Sequence, residues 1–210
     1  MQSGLTDTLT IGVGELDPKD KLVKENLKKT KELLPGLDIV IQNKDMASLV
    51  NMVLRDKVDL VIISKHMVPM IANTELQWKT IIRSHLSIYV HKSNPLYERD
   101  RLEFADLKQE KFIAFSEEND DSYIKLLHHL GKEAGFVPQI SCYIPSESSF
   151  KINLELGNGV VLADSYTGIE DEDIKRFDLE YRNDIVAIWN PVNCRQGMKV
   201  FLSLFDDIKD

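Results

Sequence analysis

Cysteine is scarce: the 210 residues carry only Cys142 and Cys194, far apart and in apolar contexts. Two such residues exclude a disulfide-stapled scaffold, and they read as buried free thiols of a reducing compartment in preference to a disulfide. Long hydrophobic runs are missing as well. No apolar stretch approaches the length of about 18 residues that a membrane span requires. Met1-Gln2-Ser3-Gly4 has neither the basic nor the apolar part of an export signal. The expected location is the cytoplasm, with no membrane partner. Positive charge is in deficit: 26 Lys and Arg stand against 34 Asp and Glu, a net charge of −8 at pH 7, and no basic block occurs. A surface that binds duplex needs clustered Lys and Arg to displace counterions from phosphates. Nucleic acid is therefore expected to meet this protein only through another segment.

Catalytic and cofactor signatures are equally sparse. There is no Gly-x-Ser-x-Gly elbow, and Cys142 falls mid-strand, where a thiol is inert. Gly12-Val13-Gly14 superficially resembles the start of a dinucleotide fingerprint. Asp17 stands where the third glycine should fall, Pro18 follows, and no phosphate loop with Gly-Lys-Ser/Thr occurs elsewhere. Among the five histidines there is no His-Glu-x-x-His; His128 and His129 are adjacent on a helix and face apart, and His85 and His91 lie at opposite ends of one strand. The acidic run Glu117-Glu118-Asn119-Asp120-Asp121 precedes a helix, so capping and solvation account for it, and a cation site there would not match EF-hand spacing. The expectation is no enzyme, no cofactor and no metal.

What is present is a strand–helix rhythm. Leu9 to Val13 is an apolar strand. Asp17-Pro18 supplies an N-cap and a first-turn proline, and Val23, Leu27, Thr30 and Leu34 follow at helical spacing until Pro35-Gly36. Asp38 to Gln42 is the next strand, Asp45 caps a helix with Leu49, Val50, Val53 and Leu54 on one face, and Val58 to Ile63 reads as a strand buried on both sides. Strands alternating with helices predict an open, mainly parallel sheet. Trp78 to Arg83 and Leu86 to Val90 are strands joined without a helix. In the second, Leu86, Ile88 and Val90 alternate with Ser87, Tyr89 and His91, which predicts one more polar face. A second unit follows: strand 111–115, helix 121–134, strand 139–144, a helix opened by Pro145-Ser146 and running to Leu156, and strand 160–163 after Gly157-Asn158-Gly159. Strands near 174–181 and 185–189 and a helix from Cys194, with Met198, Phe201, Phe205 and Ile208 on one face, close the chain. With no flexible linker, two similar α/β units are expected to be joined by strands, leaving a crevice for a ligand beyond the strand carboxyl ends.

Several stretches carry a family resemblance. They are Leu9-Thr10-Ile11-Gly12-Val13, Leu34-Pro35-Gly36-Leu37-Asp38-Ile39, Leu54-Arg55-Asp56-Lys57-Val58-Asp59-Leu60-Val61-Ile62, Ala134-Gly135-Phe136-Val137-Pro138 and Leu156-Gly157-Asn158-Gly159-Val160-Val161-Leu162. In order and spacing, over residues 8 to 208, they resemble the effector-binding (substrate-binding) domain of LysR-type transcriptional regulators, which shares its fold with type 2 periplasmic solute-binding proteins. The resemblance implies two Rossmann-like lobes joined by two crossover strands. Lobe I would comprise residues 8–83 plus 165–210 and lobe II residues 84–164, with crossings near His85 and Ser165. It implies a small-molecule effector in the interlobe cleft, and a homodimer (or a tetramer in the full-length protein) in which the first helix packs against the partner's second lobe. It also implies that DNA is read by an N-terminal helix-turn-helix absent from this chain.

Residues just past strand carboxyl ends are the ligand-binding candidates, by place rather than by identity. They are Gly14, Glu15, Asn43, Lys44, Asp45, Ser64, Lys65 and His66 in the first lobe, and Ser116, Glu117, Pro145, Ser146 and Glu147 in the second, with Asp164 and Ser165 near the second crossing. Each also has a plainer reading. Glu15 suits a helix N-terminus, Asp45 and Ser146 suit N-caps, His66 suits a solvated loop, and Lys44 and Lys65 either balance an anion or are solvated. Many relatives carry Ser or Thr where Gly14-Glu15 stands. Two other functions compete with the regulator: a solute-binding protein of a transport system, and a small transferase or lyase using His66 with Glu15 or Asp45.

Overall fold

The computed structural model describes residues 7–14, 21–44, 46–115, 122–144, 148–165 and 171–205. In chain order the first elements are β1 (Asp7–Val13), α1 (Lys21–Leu33), β2 (Leu37–Asn43), α2 (Met46–Leu54), β3 (Leu60–Ser64) and β4 (Gln77–Ile82). Next come β5 (His85–His91), β6 (Lys111–Phe115), α3 (Ser122–Glu133), β7 (Gln139–Ile144), α4 (Ser148–Glu155) and β8 (Val161–Asp164). The chain closes with β9 (Ile174–Arg182), β10 (Ile185–Trp189) and α5 (Gln196–Ser203). Each strand and helix expected from the sequence is present among the described residues; the N-caps expected at Asp17, Asp45 and Ser146, and Ile208 of the last helix's expected face, lie outside them.

Packing divides the chain into Met1–Arg83 with Asp184–Asp210, unit 1, and Ser84–Asn183, unit 2. The second passage between units therefore falls at Asn183–Asp184, not near Ser165. Strand pairing explains the shift. β9 hydrogen-bonds along β5, with Ser87 opposite Asp178 and Val90 opposite Lys175, so residues up to Arg182 are tied to unit 2.

Unit 1 is a five-stranded sheet in the order β2-β1-β3-β10-β4. β1 runs parallel to β2 and β3, as the strand–helix rhythm predicts. β10 is antiparallel to both β3 and β4, which makes the sheet mixed, because the returning chain enters at the carboxyl edge of β3, where Ile185 faces Ser64. On one face Leu49, Val50 and Val53 of α2 pack on Val61, Ile63, Val186 and Ile188. Gly12 permits that approach: a Cβ there would lie 2.6 Å from Leu49 Cδ2 and 2.9 Å from Val61 Cγ1. On the other face α5 packs beside α1, with Gly197 against Leu37 and the Phe201 and Phe205 rings edge-to-face at 5.1 Å. The inner stripe of α1 keeps Thr30 from the expected one and adds Asn26. Its fully buried positions are Asn26 and Thr30, while Val23, Leu27 and Leu34 are only partly buried. Asn26 tolerates burial because its amide donates to the Leu204 carbonyl at the end of α5, and the Thr30 hydroxyl donates to the Asn26 carbonyl.

Unit 2 is not a copy of unit 1. β5 lies between β8 and β9 in an antiparallel sheet, and β6 and β7 form a parallel pair. Lys111 and Ile113 of β6 bond the backbone of Val160 on either side, which joins the pair to the start of β8. Gly159, at φ 149°, allows this close approach, since a Cβ would collide with the Lys111 carbonyl. Leu86, Ile88, Leu162, Phe177 and Leu179 cover α3 through Leu126, Leu127 and Leu130. Tyr89 and Val161 on the opposite face pack on Phe150 and Leu154 of α4.

Candidate functional site

In unit 1, parallel pairing brings the carboxyl ends of β1, β2 and β3 to one edge. Val13 faces both Asn43 and Ile62, and the Lys44 N–H donates to the Val13 carbonyl. This edge collects Gly14 (buried), Lys44 (exposed), Ser64 (buried) and His66, which is half-buried in the 3-10 segment Lys65–Ile71. The Lys65 N–H donates to the Asp184 carbonyl at 2.7 Å, pinning the re-entering chain. The Lys65 ammonium sits 5.1 Å from the centre of the Trp78 ring, a cation–π contact. Glu15, Asp45, Ser116, Glu117, Pro145, Ser146 and Glu147 lie outside the described residues. The structure thus brings Gly14, Lys44, Ser64 and His66 to one sheet edge.

In unit 2, alternation in β5 gives the predicted polar face. His85, Ser87 and Tyr89 share it with Ser165 beyond β8 and with Arg176 and Asp178 of β9. The Asp178 carboxylate is the centre of a donor cluster. Ser87 Oγ donates to its Oδ1 at 2.9 Å, and Arg176 Nε lies 2.9 Å from the same oxygen. His85 Nε2 lies 3.2 Å from Oδ2 but out of hydrogen-bond alignment. Burial alone would raise the Asp178 pKa; the Ser87 hydroxyl, the His85 ring and the Arg176 charge outweigh it and hold the carboxyl below its ordinary range.

Ser165 anchors this cluster. Its carbonyl accepts from Arg176 Nη1 at 3.1 Å, and its hydroxyl lies 3.4 Å from His85 Nδ1 and 3.1 Å from Ser84 Oγ. Asn183, just before the second passage, donates from its backbone to the Ser84 carbonyl and from its side chain to Asp164 Oδ1 at 2.6 Å. The Tyr89 hydroxyl donates to the Asp164 carbonyl, and burial, partly opposed by Arg176, raises its pKa. Buried polar groups are costly unless bonded. Ser64, Ser84, Ser87, Asn183 and Asp184 are all buried, and all lie next to the two passages or beside Asp178.

Ser165, His85 and Asp178 match the residue types of a hydrolytic triad, but the geometry does not. The His–Asp limb is misaligned, and the Ser165 hydroxyl is shared with Ser84 and the His85 backbone N–H. The arrangement suits recognition of a polar group. Sequence reasoning missed His85, Ser87, Arg176 and Asp178. The alternation of β5 marks its polar face, but only the register of the pair puts Ser87 opposite Asp178. Both thiols are free, as expected, but neither is fully buried; Cys142 Sγ faces Asn153 Oδ1 at 3.7 Å. Among the described residues no cluster of metal-ligating side chains occurs, and no helix is long and apolar enough to cross a membrane.

The two α/β units and their double passage define a type 2 periplasmic-binding-protein-like fold. The family model described as LysR substrate binding domain matches residues 2–191, and the chain belongs to that family. Among solved structures, the effector binding domain of QuiR in complex with shikimate is similar at a TM-score of 0.79 and 16% identity, over 94% of each chain. The regulatory domain of Synechocystis CcmR in complex with 2-PG is similar at a TM-score of 0.75 and 12% identity, over 96% of this chain and 99% of that one. HinK, a LysR family transcriptional regulator from Pseudomonas aeruginosa, is similar at a TM-score of 0.77 and 16% identity, over 96% of this chain and 71% of HinK. At these identities the likeness is one of fold. No curated protein matches.

Proposed function

We propose that this chain is the effector-sensing domain of a LysR-type transcriptional regulator and works in the cytoplasm without catalysing a reaction. The observation that carries the reading is the family match over residues 2–191, on a chain that passes twice between two separately packed units. A small ligand that prefers one of two conformational states shifts their populations by its differential affinity. Operator half-sites would be read by a helix-turn-helix segment outside these residues. The net charge of −8 supports that division of labour. Ligand contacts are assigned to the loop positions Gly14, Glu15, Lys44, Asp45, Ser64, His66, Ser116, Glu117, Ser146 and Glu147. The similar QuiR and CcmR domains are in complex with shikimate and 2-PG, which supports a small metabolite as ligand.

The chain is further proposed to act as a homodimer or, in the full-length regulator, a tetramer. Leu22 and Leu33 on α1 and Val40 and Ile41 on the edge strand β2 are exposed, and so are Tyr143 on the edge strand β7 and Ile152 on α4. Exposed edges of this kind need covering. A metabolite thermal-shift screen tests the reading. A true effector raises the melting temperature in proportion to the logarithm of its concentration, while the isolated chain shifts no operator DNA. Specific operator binding by these 210 residues would overturn it.

A further inference from the structure

The Asp178 carboxylate is held the way a bound oxyanion would be held. Ser87 Oγ and Arg176 Nε both reach Oδ1 at 2.9 Å, and Arg176 Nη2 reaches Oδ2 at 3.5 Å. These donors do not depend on Asp178 for their positions. Arg176 is fixed by the Ser165 carbonyl, the His85 ring is fixed at Nδ1 by the Ser165 hydroxyl, and Ser87 is fully buried in β5. His85 Nε2, shielded from solvent, has no aligned acceptor although Asp178 Oδ2 is only 3.2 Å away. The carboxylate therefore fills the set imperfectly.

Asp178 is also cheap to displace. Its side chain is 46% exposed and that of Arg176 48% exposed, and ion pairs this open contribute little net stability. Rotating the carboxylate into water costs it little solvation. An incoming oxyanion would meet two preset donors and could give His85 Nε2 the aligned bond it lacks.

We propose that Ser87, His85 and Arg176 form an oxyanion subsite on unit 2, which takes a carboxylate or phosphate group of a small ligand and which Asp178 occupies when that ligand is absent. Asp178 is thus an intramolecular competitor that sets the ligand concentration needed for occupancy. The biological role of the subsite rests on the effector-binding reading above; its chemistry does not.

The test titrates the 210-residue chain with sodium phosphate and, separately, sodium acetate at constant ionic strength and pH. Binding is followed by the His85 Cε1–H NMR signal, assigned by its loss in H85Q. Asp178→Ala is expected to tighten binding of at least one anion about tenfold or more, and Arg176→Gln to weaken binding in both the wild-type and D178A backgrounds. Asp178→Asn, which keeps the side-chain volume, gives a smaller gain of the same sign and serves if D178A fails to fold. A gain with acetate alone assigns the subsite to carboxylates, and a gain with phosphate alone assigns it to phosphoryl groups. Equal affinity in wild type and the folded Asp178 variants, or a gain that survives Arg176→Gln, would overturn the proposal. A failed metabolite screen beside a positive D178A gain would count against the effector reading alone.

Discussion

Replacing Gly12 with alanine places a methyl group in a contact that already has no room. The new Cβ would lie 2.6 Å from Leu49 Cδ2 and 2.9 Å from Val61 Cγ1. Leu49 is fully buried and Val61 is a stiff β-branched residue in the next strand, so neither can withdraw freely. Overpacking of this kind costs about 1–3 kcal/mol, which exceeds the ~0.4–1 kcal/mol gained by restricting the unfolded chain. Leu49→Ala alone opens a cavity and costs about 2–5 kcal/mol. In the double variant the methyl group added at position 12 occupies part of that cavity, so the two costs do not add. The expected coupling is about 1 kcal/mol or more in favour of the double variant. Both tryptophans, Trp78 on β4 and Trp189 on β10, belong to unit 1, so tryptophan fluorescence, excited selectively over tyrosine, reports on this unit during urea unfolding. Each kcal/mol should move the melting temperature by about 2–4 °C. Additive costs within ~0.5 kcal/mol would refute the packing assigned to Gly12.

Three further outcomes follow from unit 2. Because the folded-state pKa of Asp178 is depressed, its contribution to stability is present above the ordinary carboxylate range and is lost as pH falls through the folded value; Asp178→Asn should flatten the acid limb of a stability–pH profile followed by far-UV circular dichroism. Tyr123→Phe removes a buried hydroxyl that donates to the Leu162 carbonyl at 2.9 Å, at a cost of about 0.5–1.5 kcal/mol by urea titration. Gly159→Ala meets both an unfavourable φ of 149° and the Lys111 carbonyl; a loss of about 1–3 kcal/mol, with faster amide exchange at Ile113 and Val160, is expected.

The legible parts of the fold are those with local physical signals. Gly14 marks the end of β1, Pro35-Gly36 marks the start of β2, an unbroken apolar run marks β3, and Gly157-Asn158-Gly159 marks the turn before β8. Pairing partners carry no such signal. Nothing in Ile174–Arg182 distinguishes a strand that joins β5 from one that joins β10; the family resemblance implies a second passage near Ser165, and the register of β9 on β5 puts it at Asn183–Asp184. Side-chain compensation is equally hidden: Asn26 is buried only because the Leu204 carbonyl, 178 positions away, needs a donor. The contact of the Lys65 ammonium with Trp78 is hidden too, because the two are neighbours in space alone. Gly14, Lys44, Ser64 and His66 reach one edge because the carboxyl ends of parallel strands must coincide, a rule that needs no register. The Asp178 cluster does need it.

Amide hydrogen exchange on the chain with and without a metabolite that raises its melting temperature is the most direct test of effector sensing. The expected result is added protection at residues 13–15, 43–45, 64–66 and 164–165, with the α3 amides of Ser122–Glu133 unchanged. Protection confined to α3, or no metabolite that slows exchange anywhere, would contradict it.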